Sequence, residues 1–193
     1  MDNYAKNYID TFHIGINNTK YKIFGEKSEQ SSFFYKLNEL AKKVKQSGGR
    51  FFLFGNGASA SFSNHMALDW STNGGILALC LSDSAMLTAL ANDFDFEDCF
   101  LEFLKINSPT SNDLVITTSS SGNSKNIVKI LEYCKENNIN SFGLSGLNEG
   151  NKTEILSDFS LFVPMKTYGM VECIHQLFHH IFLDKFMCIE EWN

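Results

Sequence analysis

Residues 119–124, Ser-Ser-Ser-Gly-Asn-Ser, place four hydroxyl groups around one glycine. The apolar, β-branched run at 114–118 predicts a buried strand before them, and apolar residues at helical spacing predict a helix after them. The first N–H groups of a helix lack internal partners, and the helix dipole favours negative charge there. The stretch therefore predicts a phosphate-binding loop, and the alternative is a polar turn with a capping serine. Its candidate ligand-binding hydroxyls are those of Ser119, Ser120, Ser121 and Ser124.

A second turn of the same kind lies at residues 55–59, Gly-Asn-Gly-Ala-Ser, between an apolar run and a predicted helix. Glycine lets the backbone approach a ligand closely, so Asn56, Gly57 and Ser59 are candidate binding residues. The turn lacks the third glycine of a dinucleotide fingerprint and the Gly-Lys-Ser/Thr of a P-loop. We therefore predict neither a nicotinamide site nor a nucleoside triphosphate site.

His65 and Asp69 follow that turn and are four residues apart, so they share one face of the predicted helix. An exposed His–Asp pair stabilises a helix by only a few tenths of a kcal/mol. Here the pair lies among apolar residues and next to a ligand-type turn, which favours a functional role. A carboxyl in such surroundings tends to have a raised pKa, as suits a general base.

The last predicted helix, residues 169–187, is the second chemically dense stretch. Four polar side chains fall at spacings i, i+3, i+4 and i+7 on one face: Glu172, His175, Gln176 and His179. His180 points about 100° away from that face. One of the two histidines on the shared face is expected to be only packed or solvated.

Five predicted strands and the helices between them form an alternating pattern. The strands lie at 50–54, 75–81, 113–118, 141–145 and 159–163. The helices lie at 31–46, 60–70, 85–91, 94–105, after 126 and at 169–187. The pattern predicts an α/β fold: a doubly wound, flavodoxin-like, mostly parallel sheet of five strands with helices on both faces. Both turns should then lie beyond the carboxyl ends of the strands, where such folds bind ligands.

Composition narrows the class of protein. The 193 residues suit one domain, 1–193, which we divide into an N-terminal helical extension (1–30) and a core (31–188). The net charge of −6 argues against a nucleic-acid partner, and no apolar run approaches the length of a membrane span. Four of the five cysteines lie in apolar runs, which predicts buried free thiols and a cytoplasmic protein.

In their order, these motifs resemble the sugar isomerase (SIS) domain family. The motifs are 55–59, His65 with Asp69, 88–93, 119–124, and Thr167 followed by Glu172 and His179. The resemblance covers about residues 31–188. Within the family, the motifs are similar to those of the phosphoheptose isomerases, which convert sedoheptulose 7-phosphate to glycero-manno-heptose 7-phosphate. Members of this type are usually homotetramers whose sites are built from two chains.

The resemblance implies roles for individual residues. The 119–124 loop would hold the sugar phosphate, with further substrate contacts from Asn56, Gly57, Ser59, Asp93 and Thr167. Asp69 falls at the position of the family's catalytic Glu, and His179 falls on its acid/base His. His65 would orient Asp69 or join Asp69 and His179 around a zinc ion, and no organic cofactor is implied. Glu172, His175 and Gln176 are possible auxiliary residues.

Three positions depart from the family's pattern. Asp69 replaces a Glu, Val171 falls at the position of a Gln, and Asn73 replaces an Arg. Misplacing a catalytic group by about 1 Å can lower the rate about 100-fold. Val171 can neither ligate a metal nor bind a hydroxyl.

Three functions fit these residues. The first is a ketose–aldose isomerase that moves a proton between adjacent carbons through an enediol, with Asp69 as base, His179 as acid and the serines as phosphate anchor. The second is a phosphosugar-binding protein without catalysis, a regulator or scaffold. The third is an isomerase of another phosphosugar. In each case the expected partners are a phosphorylated sugar and further copies of the chain, with neither nucleic acid nor membrane.

Overall fold

The computed structural model describes residues 3–192. Within that range the strands are β1 (Lys20–Ile23), β2 (Glu26–Ser28), β3 (Phe51–Gly55), β4 (Ala78–Cys80), β5 (Leu114–Ser119), β6 (Asn140–Gly146) and β7 (Phe159–Val163). The α-helices are α1 (Tyr4–Asn17), α2 (Gln30–Gln46), α3 (Ala58–Asp69), α4 (Ser84–Asp93), α5 (Cys99–Ile106), α6 (Lys125–Glu136), α7 (Lys152–Leu156) and α8 (Tyr168–Met187).

All seven strands form one sheet in the order β2-β1-β7-β6-β5-β3-β4. The five strands from β3 to β7 are parallel, and their spatial order is that of flavodoxin-like folds. The predicted fold class is thus confirmed. The strand order reverses between β3 and β5, and such a switch point is where open α/β sheets bind ligands.

The prediction of five strands was wrong by two. Residues 1–30 were expected to be only a helical extension, but β1 and β2 form a hairpin within them. The strand β1 pairs antiparallel with β7 and extends the sheet at that side. The strand β2 is short and charged, whereas β1 alternates lysine with Tyr21 and Ile23 over its four residues, a brief strand signal that the prediction overlooked. The strand β4 is also shorter than expected, because a π-helical turn and Gly75, with a φ of 65°, precede it.

Helices cover both faces of the sheet, so its central strands are buried on both sides. Every residue of β3, β5 and β7 is buried, as expected for parallel strands between two layers of helices. One apolar cluster joins the sheet to α2, α3 and α8, and a second joins its other face to α5 and α6. The layer formed by α3 and α8 also carries the titratable residues of interest.

A π-helical turn, Trp70–Gly74, continues α3 directly after Asp69. Trp70 is fully buried. The backbone N–H of Ala78 donates to Ser71 Oγ at 3.0 Å, and Lys45 Nζ donates to the Gly74 carbonyl at 2.8 Å. The turn therefore gives the end of α3 a fixed support.

The cysteines are free, but fewer are buried than predicted. Cys99 and Cys134 are buried, whereas Cys173 and Cys188 are exposed. Cys173 lies on the outer face of α8, which the apolar sequence around it did not indicate. No helix among residues 3–192 has the length and apolar character to cross a membrane.

Candidate active site

The loop between β5 and α6, residues 119–124, is a closed turn at the carboxyl end of β5; we call it the serine loop. The Gly122 N–H donates to the Ser119 carbonyl at 2.9 Å, and Ser119 Oγ donates to Ser124 Oγ at 3.3 Å. Ser124 occupies the N-cap position of α6, but its side chain accepts no hydrogen bond from the first turn of the helix. The predicted arrangement of strand, hydroxyl-rich turn and helix start is confirmed, and it favours an anion.

Gly122 is required for this shape. Its φ is 65°, and a Cβ there would collide with the side-chain amide of Asn151. That amide is fixed in turn, because Asn151 Nδ2 donates to Ser145 Oγ at 3.1 Å and Asn151 Oδ1 accepts from the Glu154 N–H at 3.0 Å. The serine loop thus rests on a buried side chain that belongs to the next βα unit.

The turn between β3 and α3 lies beside the serine loop. Asn56 and Asn126 exchange two side-chain hydrogen bonds, each 3.0 Å long, across the two turns. Asn126 is buried at the start of α6. The pair holds the two ligand-type turns together at the switch point.

A cleft of about 110 Å³ opens between these turns and the start of α8. Its lining residues are Asn56, Ser59, Thr118, Ser119, Ser120, Ser121, Ser124, Tyr168 and Glu172. The structure therefore brings together six predicted substrate-binding residues. Gly57 adjoins them as the exposed residue before α3, with a φ of 57°.

A larger cavity of about 620 Å³ lies between α1 and the β1–β2 hairpin. Two of its lysines are already paired, Lys20 with Glu149 and Lys22 with Glu154, each at 2.7 Å. This cavity lies apart from the switch point and from both ligand-type turns. The smaller cleft is therefore the candidate active site.

Three titratable side chains form a cluster where α3 packs against α8; we call His65, Asp69 and His180 the acid–base cluster. His65 Nε2 lies 3.3 Å from Asp69 Oδ2. One ligand atom from each of the three residues lies within 4.8 Å of the others. Gln176 Nε2 lies 2.8 Å from His180 Nε2 and fixes that ring.

His179, which was predicted to lie beside Asp69 as acid and possible zinc ligand, is not part of that cluster, and His180 lies there instead. His179 is fully buried and its Nε2 lies 2.9 Å from Thr118 Oγ1. His175 is also fully buried, with its Nε2 3.0 Å from the Ser145 carbonyl oxygen. Burial lowers the pKa of His175 to about 4 and that of His179 to about 3, because both lose hydration of the charged form.

The correction also changes one of the departures from the family's pattern. Counting from His179 placed the family's Gln at Val171, but Val171 is fully buried and faces Gly146. Counting the same eight residues back from His180 reaches Glu172, which lines the cleft. Glu172, and not Val171, is thus the side chain of this helical turn that faces the cleft.

One stripe of α8 connects the cleft to the acid–base cluster. Tyr168, Glu172, Gln176 and His180 follow each other at intervals of four residues. At 1.5 Å per residue, Glu172 and His180 are about 12 Å apart along the helix axis. An elongated ligand with its anionic group at the serine loop would therefore extend towards Asp69 and His180.

Two predicted binding residues lie outside the cleft of their own chain. Asp93 is exposed at the end of α4 and accepts from Asn92 Nδ2 at 3.1 Å. Thr167 is exposed and caps α8 by accepting from the Met170 N–H. Their roles as substrate contacts stay predictions.

Sequence reasoning missed Tyr168, Thr118, Asn126 and His180. Only His180 had a usable signal, since it lies at a spacing of four from Gln176 and eight from Glu172. The other three become recognisable only when the strands and helices are placed in space.

The acid–base cluster fits a zinc ion in its chemistry. Two imidazoles and one carboxylate are ordinary zinc ligands, and three protein ligands with one open position are typical of catalytic zinc sites. The spacing of the three ligand atoms, within 4.8 Å, is compatible with one ion.

Comparison with known proteins identifies relatives of this chain. The SIS domain family model matches residues 25–146. A phosphoheptose isomerase of Aneurinibacillus thermoaerophilus is 33% identical over 187 residues, which cover 94% of this chain and 91% of that protein. Phosphoheptose isomerase 2 of Campylobacter jejuni is 36% identical over 145 residues, which cover 72% of this chain and 71% of that protein.

Solved structures show the same similarity. The phosphoheptose isomerase GmhA from Neisseria gonorrhoeae superposes with a TM-score of 0.73 at 26% identity, covering 80% of this chain and 85% of that one. A phosphoheptose isomerase from Francisella tularensis superposes with a TM-score of 0.79 over 96% of this chain and 98% of that one, and at 19% identity it supports the fold. The chain therefore belongs to the SIS domain family, in which its relatives include phosphoheptose isomerases.

Proposed function

We propose that the protein is a phosphosugar ketose–aldose isomerase that converts sedoheptulose 7-phosphate to glycero-manno-heptose 7-phosphate. One observation carries the proposal: the face of α8 whose Tyr168 and Glu172 line the hydroxyl-rich cleft continues to His180, which clusters with Asp69. The relatives named phosphoheptose isomerase support the choice of substrate.

The reaction needs two proton transfers at carbon and two at oxygen. Asp69 takes the proton from C1 of the ketose while the C2 oxygen gains a proton, which gives an enediol. The C1 oxygen then loses its proton as C2 gains one, which gives the aldose. His180 is the group placed to give and take the protons at oxygen, because its ring and Asp69 lie in the same cluster.

The serine loop positions the substrate and takes no part in the proton transfers. Its hydroxyls and the first N–H groups of α6 hold the phosphate, so the carbon chain is fixed relative to Asp69. Asp69 has a shorter arm than the family's Glu, yet it reaches His65 at 3.3 Å. The braced π-helical turn behind it supports that position.

We also propose that His65, Asp69 and His180 hold a zinc ion. When bound, such an ion would polarise the carbonyl oxygen of the sugar as a Lewis acid. Metal analysis of the purified protein tests this: we expect close to one zinc per chain and its loss in a His65→Ala variant. A protein without metal that still turns over substrate would contradict the proposal.

A phosphosugar-binding protein without turnover is the second candidate. The observation that favours it is Asp69 at the position of the family's Glu, with an arm one methylene shorter. A binding protein of this kind would use the same cleft and the same anion site as the isomerase. Only a measurement of substrate turnover therefore distinguishes the two candidates.

We propose a homotetramer as the assembly. Large apolar side chains are exposed around α4, namely Leu77, Met86, Phe94 and Phe96. A second copy that covers this surface would also bring Asp93 close to another chain. Light scattering coupled to gel filtration tests this with an expected mass of four chains.

The deciding experiment follows sedoheptulose 7-phosphate by proton NMR in deuterated water. We expect new aldose signals, with deuterium at the carbon next to the carbonyl. Binding without exchange or turnover would favour the second candidate. Neither binding nor turnover would point to a different phosphosugar.

A further inference from the structure

Two histidines of α8 are buried without taking part in the acid–base cluster. His175 Nε2 contacts the carbonyl oxygen of Ser145 at 3.0 Å, and His179 Nε2 contacts Thr118 Oγ1 at 2.9 Å. The Nδ1 atoms of both rings have no hydrogen-bond partner among residues 3–192. Each ring therefore makes a single hydrogen bond, to the carboxyl end of a strand.

The partner of His175 determines its tautomer. A carbonyl oxygen can only accept, so His175 carries its hydrogen on Nε2 and a bare lone pair on Nδ1. This face of α8 thus accommodates an imidazole whose Nδ1 is an unused acceptor.

His179 faces a hydroxyl, which can either accept or donate. If Nε2 accepted from Thr118, the ring hydrogen would sit on Nδ1 as a buried N–H without an acceptor. Such orphaned donors are rarer in proteins than unsatisfied acceptors. His179 therefore donates from Nε2, in the same tautomer as His175.

The tautomer of His179 decides where the hydrogen of Thr118 points. The Thr118 oxygen accepts from His179, so its own hydrogen must be directed elsewhere, and within residues 3–192 the hydroxyl has no other hydrogen-bond partner. Thr118 lines the cleft and directly precedes Ser119 of the serine loop. Because Thr118 borders the cleft, the cleft is where an acceptor for this remaining hydrogen can bind.

We propose that His179 is a positioning residue that turns Thr118 into a hydrogen-bond donor to a phosphate oxygen of the bound phosphosugar. Phosphate oxygens only accept, so a hydroxyl with a fixed direction of donation suits them better than a freely rotating one. The proposal rests on the proposed function for the identity of the ligand. It needs binding, and it does not need turnover.

The first test reads the tautomer by long-range ¹H–¹⁵N NMR of the imidazole nitrogens, with His175 as an internal reference. We expect both rings to carry their hydrogen on Nε2. A hydrogen on Nδ1 of His179 would overturn the proposal, because Thr118 would then donate to the ring and not to the ligand.

The second test measures binding of sedoheptulose 7-phosphate by calorimetry. Thr118→Val keeps the shape of the side chain and removes the hydroxyl, and we expect about 10-fold weaker binding. His179→Phe should weaken binding about 3-fold or more, whereas His179→Gln keeps a donor and should stay within about 2-fold of the unaltered protein. Combined with Thr118→Val, the His179→Phe change should have no further effect, because its action passes through Thr118.

Several outcomes would refute the proposal: unchanged binding by Thr118→Val, equal losses in His179→Gln and His179→Phe, or additive losses in the double variant. His179→Gln and the NMR measurement keep the test decisive even if His179→Phe does not fold. The expected order of variants without any turnover would refute the isomerase and leave this inference standing. If the protein turns over substrate and Thr118→Val binds it as well as the unaltered protein does, the isomerase proposal stands and this inference is refuted.

Discussion

The serine loop and the acid–base cluster are the two parts of the proposed active site, and they are held in different ways. The serine loop is six consecutive residues, closed by its own backbone and supported by the buried amide of Asn151. The acid–base cluster comes from two helices distant in sequence, and the His65 side chain is 50% exposed. The serine loop, the anion end of the site, is thus fixed by its own backbone and by Asn151. The acid–base cluster, the reactive end, depends on how α3 and α8 pack.

Because of this difference, substitutions in the two regions should have different effects. Side chains at the reactive end can change the chemistry without altering the fold. Changes at the anion end disturb the backbone and therefore affect stability and binding together. Variants in the two regions should fail in distinguishable ways.

The largest expected effect is at Asp69. Asp69→Asn should lower kcat about 10³-fold, since removal of a general base typically costs 10²–10⁴-fold. Binding of sedoheptulose 7-phosphate should change less than about 3-fold, because the phosphate is held by the serine loop. NMR turnover assays and calorimetry measure the two quantities, and Asp69→Glu is the control that keeps the carboxylate. A loss of binding as large as the loss of turnover would remove the distinction between the two ends.

The next largest effect is a difference in kcat between variants of two adjacent histidines, His179 and His180. His180→Gln should lower kcat about 10²-fold, whereas His179→Gln should leave it within about 3-fold. The reason is position: His180 is in the acid–base cluster, and His179 is buried against Thr118. Steady-state kinetics of the two matched variants decide the matter, and a larger loss in His179→Gln would return the acid role to His179.

A smaller effect is expected at the anion end. Gly122→Ala should weaken binding about 10-fold and lower the free energy of unfolding by about 2–4 kcal/mol, because both the positive φ and the collision with Asn151 oppose it. Gly150→Ala is the control: its φ is 75° but no atom lies within 4 Å of the added Cβ. It should cost only about 1–2 kcal/mol. Urea unfolding and calorimetry measure the pair, and equal effects would show that Asn151 does not support the loop.

The smallest effect concerns pH and the two buried histidines. Their native pKa values, about 4 for His175 and about 3 for His179, lie below the ordinary value of 6.5. Between pH 6.5 and about 4 the unfolded chain therefore binds more protons than the native protein, and the free energy of unfolding falls as the pH falls. Each ring contributes up to about 1.4 kcal/mol per pH unit. His179→Gln should remove one of these contributions, and urea unfolding from pH 7 to pH 5 would show a shallower slope; an unchanged slope would mean that His179 titrates normally.

The sequence predicts the serine loop well because its residues are contiguous and their chemistry is visible in order. It predicts the fold class for a similar reason, since β3, β4, β5 and β7 lie in separate, mainly apolar runs. The histidine that lies beside Asp69 is harder to predict from the sequence, because the side chains of successive residues in α8 point about 100° apart. An assignment by counting therefore selected His179, although packing places His180 beside Asp69.

Other features depend on tertiary contacts that leave no pattern in the chain. The Asn56–Asn126 pair joins residues 70 positions apart. The strand β2 has little strand character of its own and forms by pairing with β1, which in turn pairs with the edge of β7. The burial of Val171 likewise follows from the approach of α8 to Gly146.

The N-terminal hairpin has a consequence for solubility. The strand β7 is a run of five buried residues, Phe-Ser-Leu-Phe-Val, and by itself it would be an open, apolar edge of the sheet. Such edges recruit other chains and lead to aggregation. The hairpin covers it and leaves β2 as the outermost strand, only three residues long and carrying Glu26 and Lys27. A chain shortened to begin after residue 28 is therefore expected to aggregate through β7, even though every residue of the cleft would remain.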